Sequence, residues 1–176
     1  MERVYLSIGS NLGDRAGNLR RAVARIGEIA VVGAVSGAYE SEPVEFTEQP
    51  WFVNAVVELR METDGDEGAP RLLLERVLGI ESAMGRRRDM AGYVPKGPRV
   101  IDIDIVLYGD RVIDEAALTV PHPAMHLRRF VLEPLAEIAA EVEHPVLKQS
   151  AGQMLRALPE GGAVVRRLGT PDRAES

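Results

Sequence analysis

Gly97-Pro98-Arg99-Val100-Ile101-Asp102-Ile103-Asp104-Ile105 reads as a loop running into a strand whose two faces differ in character. Successive side chains of a strand point to opposite faces. Ile101, Ile103, Ile105 and Leu107 therefore fall on one face, and Asp102, Asp104, Val106 and Tyr108 on the other. The first face packs a core, and the second presents two carboxylates about 7 Å apart along the strand. Such a pair can converge on a hard cation, which also relieves its own repulsion. Upstream lie Gly85-Arg86-Arg87-Arg88 and then Lys96 and Arg99, in a loop broken by Gly92, Pro95, Gly97 and Pro98. Residues 85 to 99 carry five basic side chains against the single acid Asp89, in a chain of net charge -6.

An Asp-x-Asp strand taken alone reads first as a solvated sheet face. The adjoining cations shift that reading. Arginine forks match phosphate oxygens, and Mg²⁺ favours one or two carboxylates plus substrate phosphates over a cage made wholly of protein. Nucleoside triphosphate chemistry is therefore the leading expectation.

The 176 residues suit one domain able to bury its own core. With 45% hydrophobic and 27% charged residues the chain reads as a soluble globular protein. It has no cysteine, which removes disulfides and thiolate metal sites and fits a cytoplasmic location. No secretory leader or membrane-spanning run is expected. The acidic balance argues against a nucleic-acid binder, and the local basic loop suits a small anionic ligand.

Outward from the acidic strand, the pattern predicts a strand at about 3 to 8, a turn over Gly9 to Gly13, and a helix from Asp14 to Ala30 on Leu19, Ala22, Val23 and Ile26. Strands follow at about 34 to 41 and 52 to 62, separated by the loop Glu42 to Pro50. A second helix, with Pro70 in its first turn, buries Leu73, Val77, Ile80 and Met84. Tyr108-Gly109-Asp110 should turn the acidic strand into a short partner at Arg111 to Ile113, and Pro134 should open a third helix. A last helix at 146 to 158, a strand at 163 to 168 and a frayed tail from about 169 to 176 complete the expectation. The fold class is α+β, an antiparallel sheet with helices packed mainly on one face.

Several residues outside the acidic strand invite a role. Gly9 to Gly13 lacks the Gly-Lys-Ser/Thr ending of a phosphate loop and reads as turn chemistry, with Asn11 bonding local backbone. Phe52 and Asn54 share a strand face, on which a flat heterocycle could stack and pair its edge; taken alone, the residues favour the plainer reading, in which Asn54 bonds neighbouring backbone and the phenylalanines pack in the core. His122 lies near Arg128 and Arg129 and suits phosphate contact better than zinc. His126, His144 and Trp51 read as surface or packing residues.

Taken together, Ile8-Gly9-Ser10-Asn11-Leu12-Gly13, Gln49-Pro50-Trp51-Phe52-Val53-Asn54-Ala55, Gly85-Arg86 with Arg88, Gly97 to Asp104, and Val120-Pro121-His122-Pro123 with Arg128 to Pro134 closely resemble the 6-hydroxymethyl-7,8-dihydropterin pyrophosphokinase family. The match runs in order over about residues 4 to 140. The resemblance implies a ferredoxin-like fold and an ATP-dependent diphosphotransferase of folate biosynthesis, one domain over 1 to 176 and expected to be a monomer. It implies two Mg²⁺ ions on Asp102 and Asp104, with ATP as co-substrate and 6-hydroxymethyl-7,8-dihydropterin as acceptor. Arg86, Arg88 and Arg99 would join the two aspartates as catalytic residues. Glu81, Ile103, Thr119, His122 and Arg128 would contact the nucleotide alongside those arginines. Ser41, Glu42, Pro43, Val44, Phe52, Asn54, Asp102 and Phe130 would surround the pterin. Phe52 stands where a tyrosine is frequent, and Lys96 where an aromatic is common. A magnesium-dependent nucleotide hydrolase and a non-catalytic nucleotide sensor are the competing expectations.

Overall fold

The computed structural model describes residues 1–43, 48–85 and 98–169. Its main sheet is antiparallel and runs β5 (Asp102–Tyr108), β1 (Glu2–Ser10), β4 (Phe52–Met61), β3 (Ala38–Ser41), β8 (Val165–Gly169), with β2 (Val31–Val35) also paired to β4. Two long helices, α1 (Arg15–Ile29) and α2 (Ala69–Ala83), cover one face. Leu19, Ala22 and Ile26 of α1 and Leu73, Val77 and Ile80 of α2 meet Val4, Leu6, Ile8, Val53, Ala55, Val57 and Leu59 from the two central strands. Burying each such large aliphatic side chain contributes about 1.5–3 kcal/mol, so this layer anchors the sheet. Asp14 caps α1 as expected, accepting from the Gly17 N–H at 3.0 Å.

Two shorter helices, α3 (Arg129–Ala139) and α4 (Ala151–Ala157), occupy part of the opposite face. Val131, Leu132, Leu135 and Met154 pack there on Tyr5, Val56, Val106 and Leu107. The rest of that face carries Ser7, Gly9, Asn54, Asp102 and Asp104, whose polar or minimal side chains offer a helix no apolar footing. No described helix packs on that part, and a site can form there.

Four local expectations are corrected. The strand placed at 34 to 41 is two strands, because the Ser36 hydroxyl accepts from the Val56 N–H at 2.9 Å and interrupts the ladder. Pro134 lies inside α3 instead of opening it. With one helical turn ahead of it, the ring removes one backbone bond, to the Phe130 carbonyl, and the buried Val131, Leu132 and Leu135 offset a cost of about 3 kcal/mol. The segment after Tyr108 does not pair with β5. Its β6 (Ile113–Asp114) forms a separate ribbon with β7 (Thr119–Val120). The last helix is shorter than expected, since the Ser150 and Gln153 capping box starts it late.

A bulge corrects the face assignment at the end of β5. Leu6 pairs with Ile105 but Tyr5 pairs with Leu107, so Val106 is an extra residue. Beyond it the alternation inverts: Leu107 joins the α3 side and Tyr108 the α1 side.

Candidate active site

Asp102 stands opposite Gly9 on β1, and Gly9 stands opposite Asn54 on β4. Directly opposed residues of an antiparallel sheet share a face, so the three make one row across the sheet. Asp104 lies one step further along, opposite Ser7. Both aspartates are half-buried. A carboxylate oxygen of Asp102 accepts from Arg99 Nη1 at 3.1 Å, and the Arg99 guanidinium also lies 5.3 Å from the centre of the Phe52 ring. One arginine therefore touches both the acidic end of the row and its aromatic neighbour.

Gly9 lies within β1 and not in the turn that the sequence pattern predicts, and its lack of a side chain is what keeps the row open. A Cβ there would come 3.0 Å from Asn54 Oδ1 and 3.6 Å from Phe52 Cδ1. Pattern reading could have found this by running the first strand two residues further. Asn11 likewise bonds distant chain instead of local backbone. Its Nδ2 donates to Pro50 C=O at 3.0 Å and to Gln49 Oε1 at 2.8 Å, while its Oδ1 accepts from the Arg99 N–H at 2.8 Å. It thus ties the approaches to Phe52 and Asp102 to the end of β1.

Asn54 is buried, and its Nδ2 is satisfied by Ser41 Oγ at 2.7 Å and Tyr39 C=O at 3.2 Å. The amide oxygen is left facing the space above Gly9. Phe52 is half-buried at the start of β4, opposite Ser41, and Phe130 is half-buried in the first turn of α3. Arg128 lies 5.5 Å over the Phe130 ring. A cavity of about 200 Å³ lies among Ser41, Arg128 and Phe130 and the chain near Val165. Glu42 and Pro43 follow Ser41 in the chain, and the Glu42 N–H donates to the Val164 carbonyl at 3.2 Å.

Glu81, from α2, is 2% exposed and accepts from the Ile103 N–H at 3.0 Å, bracing the sheet-edge strand that carries the aspartates. The bulge leaves the Val106 carbonyl to accept from the His122 N–H at 3.0 Å, which fixes the turn following Thr119 against the same strand. His122 Nδ1 accepts from the Ala124 N–H at 3.1 Å, so the ring offers its Nε2. Burial lowers the His122 pKa, the Arg128 charge lowers it further, and Asp102 partly opposes both. Arg86, Arg88 and Val44 lie outside the described residues, as do the arginine-rich loop around them and the end of the tail.

His144 is a packing residue, with Nδ1 accepting from Val146 N–H and Leu147 N–H and its ring edge-on to His126. Trp51 is more than loop filling, since the Arg166 guanidinium lies 5.5 Å over its ring. Among the described residues no three acidic or histidine side chains gather into a protein-only metal cage. The donor set among the described residues, two half-buried carboxylates on one strand face, is of the kind that shares a hard cation with a phosphate ligand.

Residues 5–140 match the model of the 7,8-dihydro-6-hydroxymethylpterin-pyrophosphokinase family. The chain is 43% identical over 141 residues to the 2-amino-4-hydroxy-6-hydroxymethyldihydropteridine pyrophosphokinase of Bacillus subtilis, covering 79% of each. It is 40% identical over 144 residues to the enzyme of that name from Methylorubrum extorquens, covering 81% of this chain and 85% of the relative. Against the folic acid synthesis protein fol1 of Schizosaccharomyces pombe it is 38% identical over 162 residues, spanning 90% of this chain and only 21% of that longer protein. Its fold matches wild-type Plasmodium falciparum HPPK-DHPS with a TM-score of 0.64 at 14% identity, over 88% of this chain and 44% of the other.

Proposed function

The chain belongs to the 7,8-dihydro-6-hydroxymethylpterin-pyrophosphokinase family, and from that premise we propose that the row Asp102, Gly9, Asn54 is where ATP meets a reduced pterin. The reaction transfers the terminal diphosphate of ATP to the hydroxymethyl oxygen of 6-hydroxymethyl-7,8-dihydropterin. That oxygen attacks the β-phosphorus, the bond to the α-phosphate oxygen breaks, and AMP leaves. The pterin diphosphate is the product used in folate synthesis.

Such transfers depend on positioning and charge stabilisation more than on covalent chemistry by the protein. Asp102 and Asp104 would hold two Mg²⁺ ions, which when bound supply charge neutralisation across the phosphate oxygens. Arg99 restrains Asp102 and brings a cation to the junction between the acidic strand and the Phe52 ring. Glu81 and the Val106 carbonyl fix the strand from its edge and from its bulge, so the two carboxylates keep one orientation. His122, kept neutral by burial and by Arg128, offers an Nε2 hydrogen-bond donor to a phosphate oxygen. Arg86, Arg88 and Arg128 add charge on the nucleotide side, and Ile103 and Thr119 border the adenine.

On the acceptor side Phe52 and Phe130 stack on the pterin faces. The Asn54 amide oxygen accepts from the ring edge, and Gly9 leaves room for the ring above the sheet. Ser41, Glu42, Pro43 and Val44 complete the rim. Within this proposal the chain acts as a single-domain monomer in the cytoplasm. Separately, no described helix is long and apolar enough to cross a membrane.

The observation that carries this reading is the cross-strand placement of a carboxylate, a glycine and an amide in one row. Incubation with Mg²⁺, ATP and the reduced pterin, resolved by chromatography, is expected to give AMP and the pterin diphosphate in equal amounts. ADP as product would replace the assignment with simple phosphorylation. ATP consumption without the pterin would make the protein a hydrolase, and binding without turnover would make it a sensor.

A further inference from the structure

The family match stops at residue 140, yet the chain continues into α4 and β8 and returns to the acceptor side of the sheet. Ser41 pairs with Phe52 on one flank and with Val165 on the other. Phe52, Ser41 and Val165 therefore form a second row on the same face, alongside the row that carries Asp102 and Asn54. The cavity of about 200 Å³ is lined by Ser41 and Phe130 together with Leu158, Gly162, Ala163 and Val165. A mostly apolar wall from the end of the chain thus lines the same cavity as Phe130, the ring assigned to the acceptor.

This wall is held by long-range bonds. The Val164 N–H donates to Glu42 Oε1 at 2.8 Å, and the Glu42 N–H donates to the Val164 carbonyl at 3.2 Å. Arg166 pairs with Glu40 at 2.5 Å and covers Trp51, the residue before Phe52. Arg167 pairs with Glu137 of α3 at 2.9 Å. The strand is therefore fastened at the rim residue Glu42, at the approach to Phe52 and at the helix carrying Phe130.

Resting on the acceptor site assigned above, we propose that Val165 and Ala163 are specificity-determining residues. They close the outer side of the acceptor slot and set how large a substituent a flat bicyclic heterocycle can carry there. Val165→Ala removes apolar contact, and Ala163→Leu fills the slot from a position outside the strand. Steady-state assays would give the KM for the pterin and for ATP in each variant, with thermal unfolding beside them. Each variant is expected to raise the ratio of pterin KM to ATP KM about fivefold, the order expected for one or two apolar groups in a binding pocket. Val165→Ala should also relax discrimination against a pterin bearing an extra methyl group. An unchanged ratio in both variants, or an equal rise of both constants, overturns the wall. Phe130→Ala in the same assay separates the two levels: if it raises the pterin KM while the wall variants do not, the wall alone fails. If it too leaves the pterin KM unchanged, the acceptor site falls with it.

Discussion

Asn11 and Arg99 are joined in both directions: the Asn11 N–H donates to the Arg99 carbonyl at 3.1 Å, and the Arg99 N–H donates to Asn11 Oδ1 at 2.8 Å. Asn11 is 2% exposed, so these bonds form where water does not compete. Through them the end of β1 fixes the residue that pairs with Asp102, while the other side of the same amide holds Gln49 and Pro50 ahead of Phe52. The segments proposed to carry the catalytic and acceptor groups, far apart in sequence, are registered by one side chain.

Asn11→Ala should therefore cost both stability and turnover. Leaving buried partners unpaired costs about 1–3 kcal/mol per group, so a loss of about 3 kcal/mol is expected in urea unfolding. Turnover should fall with it, because Arg99 and Phe52 lose their common anchor. Asn11→Asp, which keeps the acceptor for the Arg99 N–H but loses both donors, should recover part of the stability only.

Asp102→Asn and Asp104→Asn should behave in the opposite way. Both residues are half-buried on the open part of the sheet face, where the apolar core does not depend on them. Each substitution is expected to lower kcat by on the order of 10³, within the range lost when a charge-stabilising group is removed, with a melting temperature within a few degrees of the parent. AMP release measured under saturating ATP and pterin decides it, and near-normal rates in both variants would take the pair out of catalysis.

Gly9→Ala tests the space in the central row. The new Cβ would meet Asn54 Oδ1 at 3.0 Å and Phe52 Cδ1 at 3.6 Å, so the amide must shift or the acceptor ring must ride higher. An increase of about tenfold in the KM for the pterin, with the KM for ATP little changed, is expected from titration of each substrate. A parallel rise in both constants would instead indicate general damage to the sheet.

Much of this site was legible from residue order alone, for physical reasons that differ by element. Alternation on β5 marked Asp102 and Asp104, because a strand has only two faces and the isoleucines claimed one of them. The same rule paired Phe52 with Asn54 on β4. It failed at Leu107 and Tyr108, since a one-residue bulge inverts every later side chain and leaves no mark in an apolar run. Pro134 sits inside α3 against its local preference because the tertiary burial of Val131, Leu132 and Leu135, which no local pattern shows, offsets the cost. Gly9, Asn11 and Arg166 gain their roles from partners 38 to 126 residues away, which no local pattern encodes.

The pH dependence of stability should show two separate windows. Burial lowers the pKa of His122 and of His144, with Arg128 and the neighbouring His126 adding to the effect in turn. The unfolded chain then binds more protons than the native one as pH falls below the ordinary histidine value of about 6.5, so stability is lost through that range and is highest above it. Glu2 and Glu40 have lowered pKa values, held down first by Arg111 and Arg166 respectively. For Glu137, burial acts to raise the value, but hydrogen bonds from Tyr39 and Arg167 outweigh it. These carboxylates contribute stability that persists above their unfolded value and disappears only as pH falls through their lower folded values. A first decline below about pH 6.5 and a second below about pH 4.5 are therefore expected in chemical unfolding followed across pH. His144→Gln should make the first decline shallower, leaving the His122 contribution, and should leave the second unchanged. Glu137→Gln should weaken the second, because Tyr39 and Arg167 lose their charged partner; a first decline unchanged in His144→Gln would show that burial of this imidazole does not couple its titration to folding.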